Sequence, residues 1–204
     1  TDQQDIATAL LDIDDAVTRA DQVIRGLLDF SVFKTLEVSP QDLNGIIERS
    51  LLLIKHELVK SHITPVTRLV GELPPLTLDR NKMEQVFVNV FMNAIHAMPE
   101  GGTLTVTTYA KQLTERGQFV GQRSTDRFAV GETVAVADVE DTGPGIPEEQ
   151  LTKIFDQFFT TKPPGQGTGL GLAVTKSIID MHGGVVMVRN RPEGGALCTI
   201  LLKT

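Results

Sequence analysis

The chain has a single cysteine, no block of lysine or arginine, and no apolar run near the roughly 18 residues that a membrane-crossing helix needs. Each shortage removes a class of function. Cys198 alone cannot close an intrachain disulfide; set in an apolar alternation near the C-terminus it reads as a small buried hydrophobe, in keeping with a reducing, cytoplasmic compartment. The missing apolar run argues against a helical membrane contact by this chain, and no signal-peptide layout opens it. A formal charge of −7 without a basic cluster gives no electrostatic footprint for nucleic acid or an acidic membrane surface. Any phosphate binding must therefore be local.

What is present suits one domain with a helical appendage, since 204 residues exceed the needs of a single modest core. Apolar residues Ile6, Leu10, Ile13, Val17, Ala20, Ile24 and Leu27 alternate steps of four and three, a heptad seam flanked by Asp12, Asp14, Asp15, Arg19, Asp21 and Arg25. This predicts a long bundle-type helix in residues 1–38, which either self-associates into a homodimer or folds back on its own domain. Thr1 in place of methionine, with a helical pattern under way by Ile6, reads as part of a longer protein.

Residues 39–204 form the second unit. Ser39-Pro40-Gln41-Asp42 predicts a helix capped at Ser39 and running to about Ser61. Strands are expected at Ile63 to Val70, Leu104 to Tyr109, Thr133 to Glu140, Val185 to Arg189 and Ala196 to Leu202. Asp79 caps a helix extending to Met98, another runs from Leu170 to Met181, and the polar stretch Lys111 to Gly131 reads as a loop or hairpin tip outside the core. Elements out of strict alternation predict an α/β (α+β) sandwich: a mixed five-stranded sheet covered by three helices on one face.

Three segments carry chemistry. On the Asp79 helix, Met83, Val86, Phe87, Val90, Phe91, Ala94 and Met98 make a buried stripe, while Gln85, Asn89, Asn93 and His96 share another face. Two amides one turn apart offer carbonyl oxygens to a hard Mg²⁺ and N–H groups to phosphates, although a single such asparagine is usually just a solvated side chain. The first glycine box, Asp141-Thr142-Gly143-Pro144-Gly145-Ile146-Pro147, follows a strand; a carboxylate there can read a base amino group, with Asp138 and Glu140 as alternatives by composition. The second, Gly165-Gln166-Gly167-Thr168-Gly169-Leu170-Gly171-Leu172, opens a helix whose N-terminal N–H groups can meet phosphate oxygens, yet it lacks the lysine and spacing of a P-loop. Between the boxes, Ile154-Phe155-Asp156-Gln157-Phe158-Phe159-Thr160-Thr161-Lys162 is rich in phenylalanine.

In this order the segments resemble the ATP-binding domain of sensor histidine kinases, over residues 43 to 204. The resemblance implies ATP and Mg²⁺ as cofactors, with Asn93 as main metal ligand and Asn89 beside it. It gives Asp141 adenine recognition, with Gly143, Gly145 and Ile146 around the base. Thr161, Gly167, Thr168, Gly169, Leu170, Gly171 and Leu172 fall to the nucleotide, and Asn89, His96, Lys162 and Gln166 to the γ-phosphate. His96 holds a position where lysine is frequent, and a plain surface histidine remains its alternative. Ala196 replaces a family threonine, which puts one adenine-side water contact in doubt. The segment Asp156 to Gly167 is the expected lid, anchored by Phe155, Phe158 and Phe159 rather than touching substrate through them.

The resemblance further implies a protein-histidine kinase whose phosphoacceptor lies on a first hairpin helix missing from this chain, residues 24–31 ending the second. A response-regulator receiver domain would be the next partner. His56-Glu57 imitates a phosphoacceptor motif but follows the dimer helix instead of preceding it, so it reads as a surface histidine. Gyrase-like, mismatch-repair and chaperone ATPases share the glycine boxes, but they carry a water-activating glutamate where this chain has Asn89. A non-catalytic nucleotide-binding scaffold is the remaining alternative.

Overall fold

A computed structural model describes residues 35–114, 128–129, 131–162 and 167–204. The heptad helix expected in residues 1–38 lies almost wholly outside the described residues. Twelve elements follow among those described: β1 (Ser39–Gln41), α1 (Leu43–Leu53), α2 (Lys55–Lys60), β2 (Ile63–Leu69), β3 (Leu76–Leu78), α3 (Arg80–Ala97), β4 (Gly102–Gln112), β5 (Thr133–Glu140), α4 (Glu148–Leu151), α5 (Gly171–Met181), β6 (Val185–Asn190) and β7 (Ala196–Lys203).

The main sheet has the order β2-β4-β5-β7-β6, with β2 parallel to β4 and the other pairs antiparallel. Pro65 lacks a ladder donor, and β2 accommodates it as an edge strand. Alternation along the strands turns Leu104, Val106, Ala135, Ala137, Val139, Cys198, Ile200 and Leu202 to one face, where they pack with apolar residues of α1, α3 and α5. This is the mixed sheet with three helices on one face. Phe87 and Phe91 lie at its centre, fully buried with ring centroids 5.9 Å apart, and each contributes about 2 kcal/mol of apolar burial. Among the described residues no helix is long and apolar enough to cross a membrane.

The first helix differs from expectation. Ser39 is not its cap: Ser39–Gln41 pairs antiparallel with Leu76–Leu78 as a separate two-stranded sheet. Asp42 caps instead, its carboxylate accepting the Asn44 N–H at 3.0 Å. The helix also breaks at Ile54. Leu51 to Ile54 are four consecutive apolar residues and no single helical face can bury them all; the break puts Ile54 and Leu58 in the core and leaves Leu52 and Leu53 exposed at 69% and 63%.

The expected loop from Lys111 is also partly folded. β4 runs to Gln112, and Leu113 and Phe128 pack with Val134, Val136, Val185 and Leu201 in a small second cluster on the opposite sheet face. Most of the rest of that stretch lies outside the described residues.

At one end of α3, Asp79 joins three segments. Its carboxylate caps the helix at Lys82 N–H and accepts the Glu37 N–H at 3.0 Å, while its own N–H donates to His182 Nε2 at 2.9 Å. His182 Nδ1 is 2.8 Å from the Ile178 carbonyl, so one imidazole ties α3 to the C-terminal end of α5. These two helices carry the site.

Candidate functional site: a cavity between two glycine boxes

A cavity of about 340 Å³ opens where α3, the end of β5 and the segment 144–162 meet, within the size range of small-molecule sites. Its walls are mainly apolar, from Val90, Ala94, Val139, Ile146, Leu172 and Val188 among others. Asn93, His96, Asp141, Thr161 and Lys162 supply polar groups. The burial of Val86, Phe87, Val90 and Phe91 fixes the rotation of α3 and turns Asn93 and His96 to the cavity.

Asp141 is buried. Its Oδ1 accepts the Gly143 N–H at 2.9 Å and the Ala196 N–H at 3.1 Å. Strand alternation separates it from Asp138 and Glu140. Asp138 takes bonds from Tyr109 at 3.0 Å and Thr199 at 2.6 Å on the far sheet face, and burial followed by that carboxylate pushes the Tyr109 phenol up to about 12. Glu140 pairs with Arg191 at 3.1 Å. Of the three carboxylates, Asp141 alone lines the cavity.

Lys162 Nζ stands 2.8 Å from His96 Nδ1. Burial, and next the Lys162 charge, hold the His96 imidazole below its ordinary value of 6.5, and burial also lowers Lys162. Two basic groups thus share one spot at the exposed rim of the cavity, with Glu57 the acid whose charge opposes the lowering at His96, a disposition that favours binding negative charge.

Not every expected residue lines the cavity. Gly145, Ile146 and Leu172 do so; Gly143, Gly167, Thr168, Gly169, Leu170 and Gly171 do not. Leu170 sends its side chain into the core, and Thr168 Oγ1 accepts the Leu170 N–H at 3.3 Å. Asn89 also stands off the cavity, its Nδ2 donating to the Gly171 carbonyl at 3.3 Å, so it ties α3 to the first turn of α5. Gln166 lies outside the described residues.

The phenylalanine segment needs correction. Phe155 packs against the core with Lys176 over its ring at 5.5 Å and is an anchor. Phe158 is 57% exposed, with φ of 65°, and Phe159 faces the cavity. Gly169, at φ of +65°, lies so close to the Phe158 backbone that a Cβ there would collide with it. Ala97, Pro144, Gln150, Ile154 and Cys198 also line the cavity and were not legible as site residues. Cys198 is the buried thiol its pattern predicts, its pKa pushed up to about 12 by burial and then by Asp138.

Residues 78–204 match the family model described as histidine kinase-, DNA gyrase B- and HSP90-like ATPase. The chain belongs to that family. Its ATP-binding domain is of the histidine-kinase kind: the chain is 32% identical over 200 residues to the signal transduction histidine-protein kinase AtoS of Escherichia coli strain K12, covering 98% of this chain and 29% of that protein. The solved catalytic domain of histidine kinase ThkA aligns at a TM-score of 0.65 and 30% identity, over 82% of this chain and 96% of that one. ThkA in complex with response regulator protein TrrA aligns at 0.70 and 27% identity, over 94% and 49%. The chain spans about a fifth to a third of the length of the curated relatives it matches.

Proposed function

We propose that this chain is the ATP-binding catalytic region of a cytoplasmic sensor histidine kinase module, passing the ATP γ-phosphate to a histidine on its parent's dimerisation hairpin for relay to an aspartate of a response-regulator receiver domain. The observation that carries the reading is the convergence of Asp141, Asn93, His96 and Lys162 on one cavity beside the N-terminus of α5. A carboxylate suited to an amino group, an amide suited to a hard cation, and an ammonium with a neighbouring imidazole suited to phosphate are what Mg·ATP asks of a site.

Asn93 would hold Mg²⁺, with Asn89 as its near neighbour. The donor set fits, because Mg²⁺ takes few protein ligands and completes its shell with phosphate oxygens and water; among the described residues no cluster of three acidic, histidine or cysteine side chains competes for a metal. When bound, the ion supplies charge neutralisation across the phosphates. The chain's own residues do the rest: Asp141 selects the base, the first turn of α5 offers N–H groups, and His96 with Lys162 meets the terminal phosphate. Asn89 at the position of the hydrolytic glutamate removes that carboxylate base, which favours an external nucleophile over hydrolysis.

All four histidines fall in the catalytic unit: His56 exposed on α2, His62 in the following turn, His96 at the cavity and His182 bonded between helices. None sits on the N-terminal heptad segment. The ThkA–TrrA complex supports a receiver-domain partner, and the heptad seam supports a homodimer through residues 6 to about 36.

Titration calorimetry with Mg·ATP and Mg·GTP tests the site. ATP is expected to bind well ahead of GTP, with Asp141→Ala weakening ATP by about a hundredfold and Asn93→Ala removing the dependence on Mg²⁺. ATP binding that survives Asp141→Ala unchanged would sink the reading. Sedimentation tests the dimer: the full chain should associate at tens of micromolar and a version beginning at Ser39 should not, and equal behaviour of the two would remove the seam as the interface.

A further inference from the structure

We propose that Asn190 and Arg191, consecutive residues where β6 turns toward β7, are positioning residues for base recognition, clamping the first glycine box at its two ends. The inference rests on the nucleotide reading of the cavity and adds two residues that no motif contains.

At the far end of the box, Asn190 treats the Ile146 peptide as a strand partner would. Its Oδ1 accepts the Ile146 N–H at 2.7 Å and its Nδ2 donates to the Ile146 carbonyl at 2.6 Å. A carboxamide is the side chain that can do both at once. The box needs such a partner because Gly145, at φ of +82°, carries the chain out of any ladder just before Ile146. Ile146 is a cavity wall, so whatever fixes its peptide fixes that wall.

At the near end, Arg191 Nη1 donates to the Asp141 carbonyl at 2.9 Å, and Nη2 lies 3.1 Å from Glu140 Oε2. One guanidinium fork thereby holds the main chain of Asp141 and the side chain before it. The same hairpin closes on Asp141 from the other side: Asp141 N–H donates to the Ala196 carbonyl at 3.0 Å, and Gly195 packs so tightly on the Asp141 carbonyl that a Cβ would overlap it.

The consequence concerns one oxygen. Oδ1 of Asp141 is taken by the Gly143 and Ala196 amides. Among the described residues no hydrogen bond goes to Oδ2, which is left for a ligand amino group. Discrimination between an amino group and a carbonyl requires that this oxygen neither rotate nor retreat, and the clamp supplies that restraint from outside the cavity. Neither Asn190 nor Arg191 lines the cavity. They act through Ile146 and Asp141.

The test is calorimetry of Mg·ATP and Mg·GTP on the full chain and its variants. Asn190→Ala should weaken ATP about tenfold, from two lost hydrogen bonds, and lower the ATP-to-GTP preference by a similar factor while GTP binding barely moves. Asn190→Asp, which keeps the acceptor for the Ile146 N–H but sets a carboxylate oxygen against the Ile146 carbonyl, should lower the preference at least as much. Arg191→Met should lower the preference in the same manner and Arg191→Lys should restore part of it. Arg189→Ala, one residue earlier and exposed, should change nothing. Equal weakening of ATP and GTP, or an unchanged preference in both clamp variants, overturns the inference. Should Asn190→Ala fail to fold, the same comparison with Asn190→Asp and Arg191→Lys decides. If the unmodified chain shows no preference, or Asp141→Ala leaves it intact, it is the nucleotide reading that fails, and the two failures are thus distinguishable.

Discussion

The two glycine boxes resemble each other in composition and differ in how they are held. The first is tied on every side: Asn190 and Arg191 grip its ends, the Asp141 carboxylate bonds within it, and Thr142 Oγ1 accepts the Thr103 N–H at 3.0 Å while its own N–H reaches Met98 Sδ at 3.4 Å. The described part of the second has fewer ties. Leu170 roots it in the core, Asn89 reaches the Gly171 carbonyl, and Gly169 interlocks with the Phe158 backbone. Local stability follows contact density, so the first box is built in advance while the described part of the second hangs on the phenylalanine segment; in the proposed reading these are the base side and the phosphate side of the nucleotide. Discrimination demands the first arrangement, and admission and release of a polyphosphate suit the second.

Gly169→Ala is the sharpest way to break that contrast. The new methyl would meet backbone atoms of Phe158, with no flexible side chain able to yield, at a φ of +65° that L residues avoid. A strained backbone of this kind costs about 1–3 kcal/mol, so ATP affinity should fall roughly tenfold or more. Adenosine, which needs only the base side, should bind within about twofold of the unmodified chain. Calorimetry with the two ligands reads the difference. Equal losses for both would mean that the boxes are one mechanical unit and that the contrast is only compositional.

What the sequence disclosed followed the same division. Local patterns were legible: Asp79 does cap α3, the stripe from Met83 to Ala94 is buried, and β5 spans Thr133–Glu140 as its alternation predicts. Non-local pairings were not. β1 and β3 are three-residue strands whose pairing Ser39↔Leu78 depends on the fold between them, so the local cap signal at Ser39-Pro40 outweighed it in reading. Asn190 and Arg191 carry no spacing signature at all, being polar residues at a hairpin whose partners are backbone atoms some 44 and 50 positions away. At the cavity, Asp141, Gly145 and Ile146 were readable as lining residues because they stand together in one short segment, whereas Gly143, Gly167, Gly169 and Gly171 of the same pattern do not line it. Phe159 facing the cavity and Phe158 facing solvent were not, since three phenylalanines in one short segment give no period that says which is buried.

The phosphate side also carries the smallest expected effect, a dependence of binding on pH. In the free chain, burial and the neighbouring Lys162 charge keep His96 below 6.5, with Glu57 opposing them, and burial lowers Lys162 as well. The pair therefore holds fewer protons than the same groups in water. An incoming polyphosphate favours the charged forms of both, so binding should draw in protons. Linkage fixes the sign: association tightens as pH falls, in a window bounded below by the depressed His96 value of the free chain and above by its raised value in the complex, with a slope of at most about tenfold per pH unit for each proton taken up. His96→Asn should flatten the slope, and because ATP's own ionisation is common to both proteins, the difference between them isolates the imidazole. Calorimetry in two buffers of unlike ionisation enthalpy counts the protons directly. Identical slopes and identical proton counts for the two proteins would leave His96 as a cavity-wall residue with no charge to offer, and Lys162 as the cation that the phosphate side relies on.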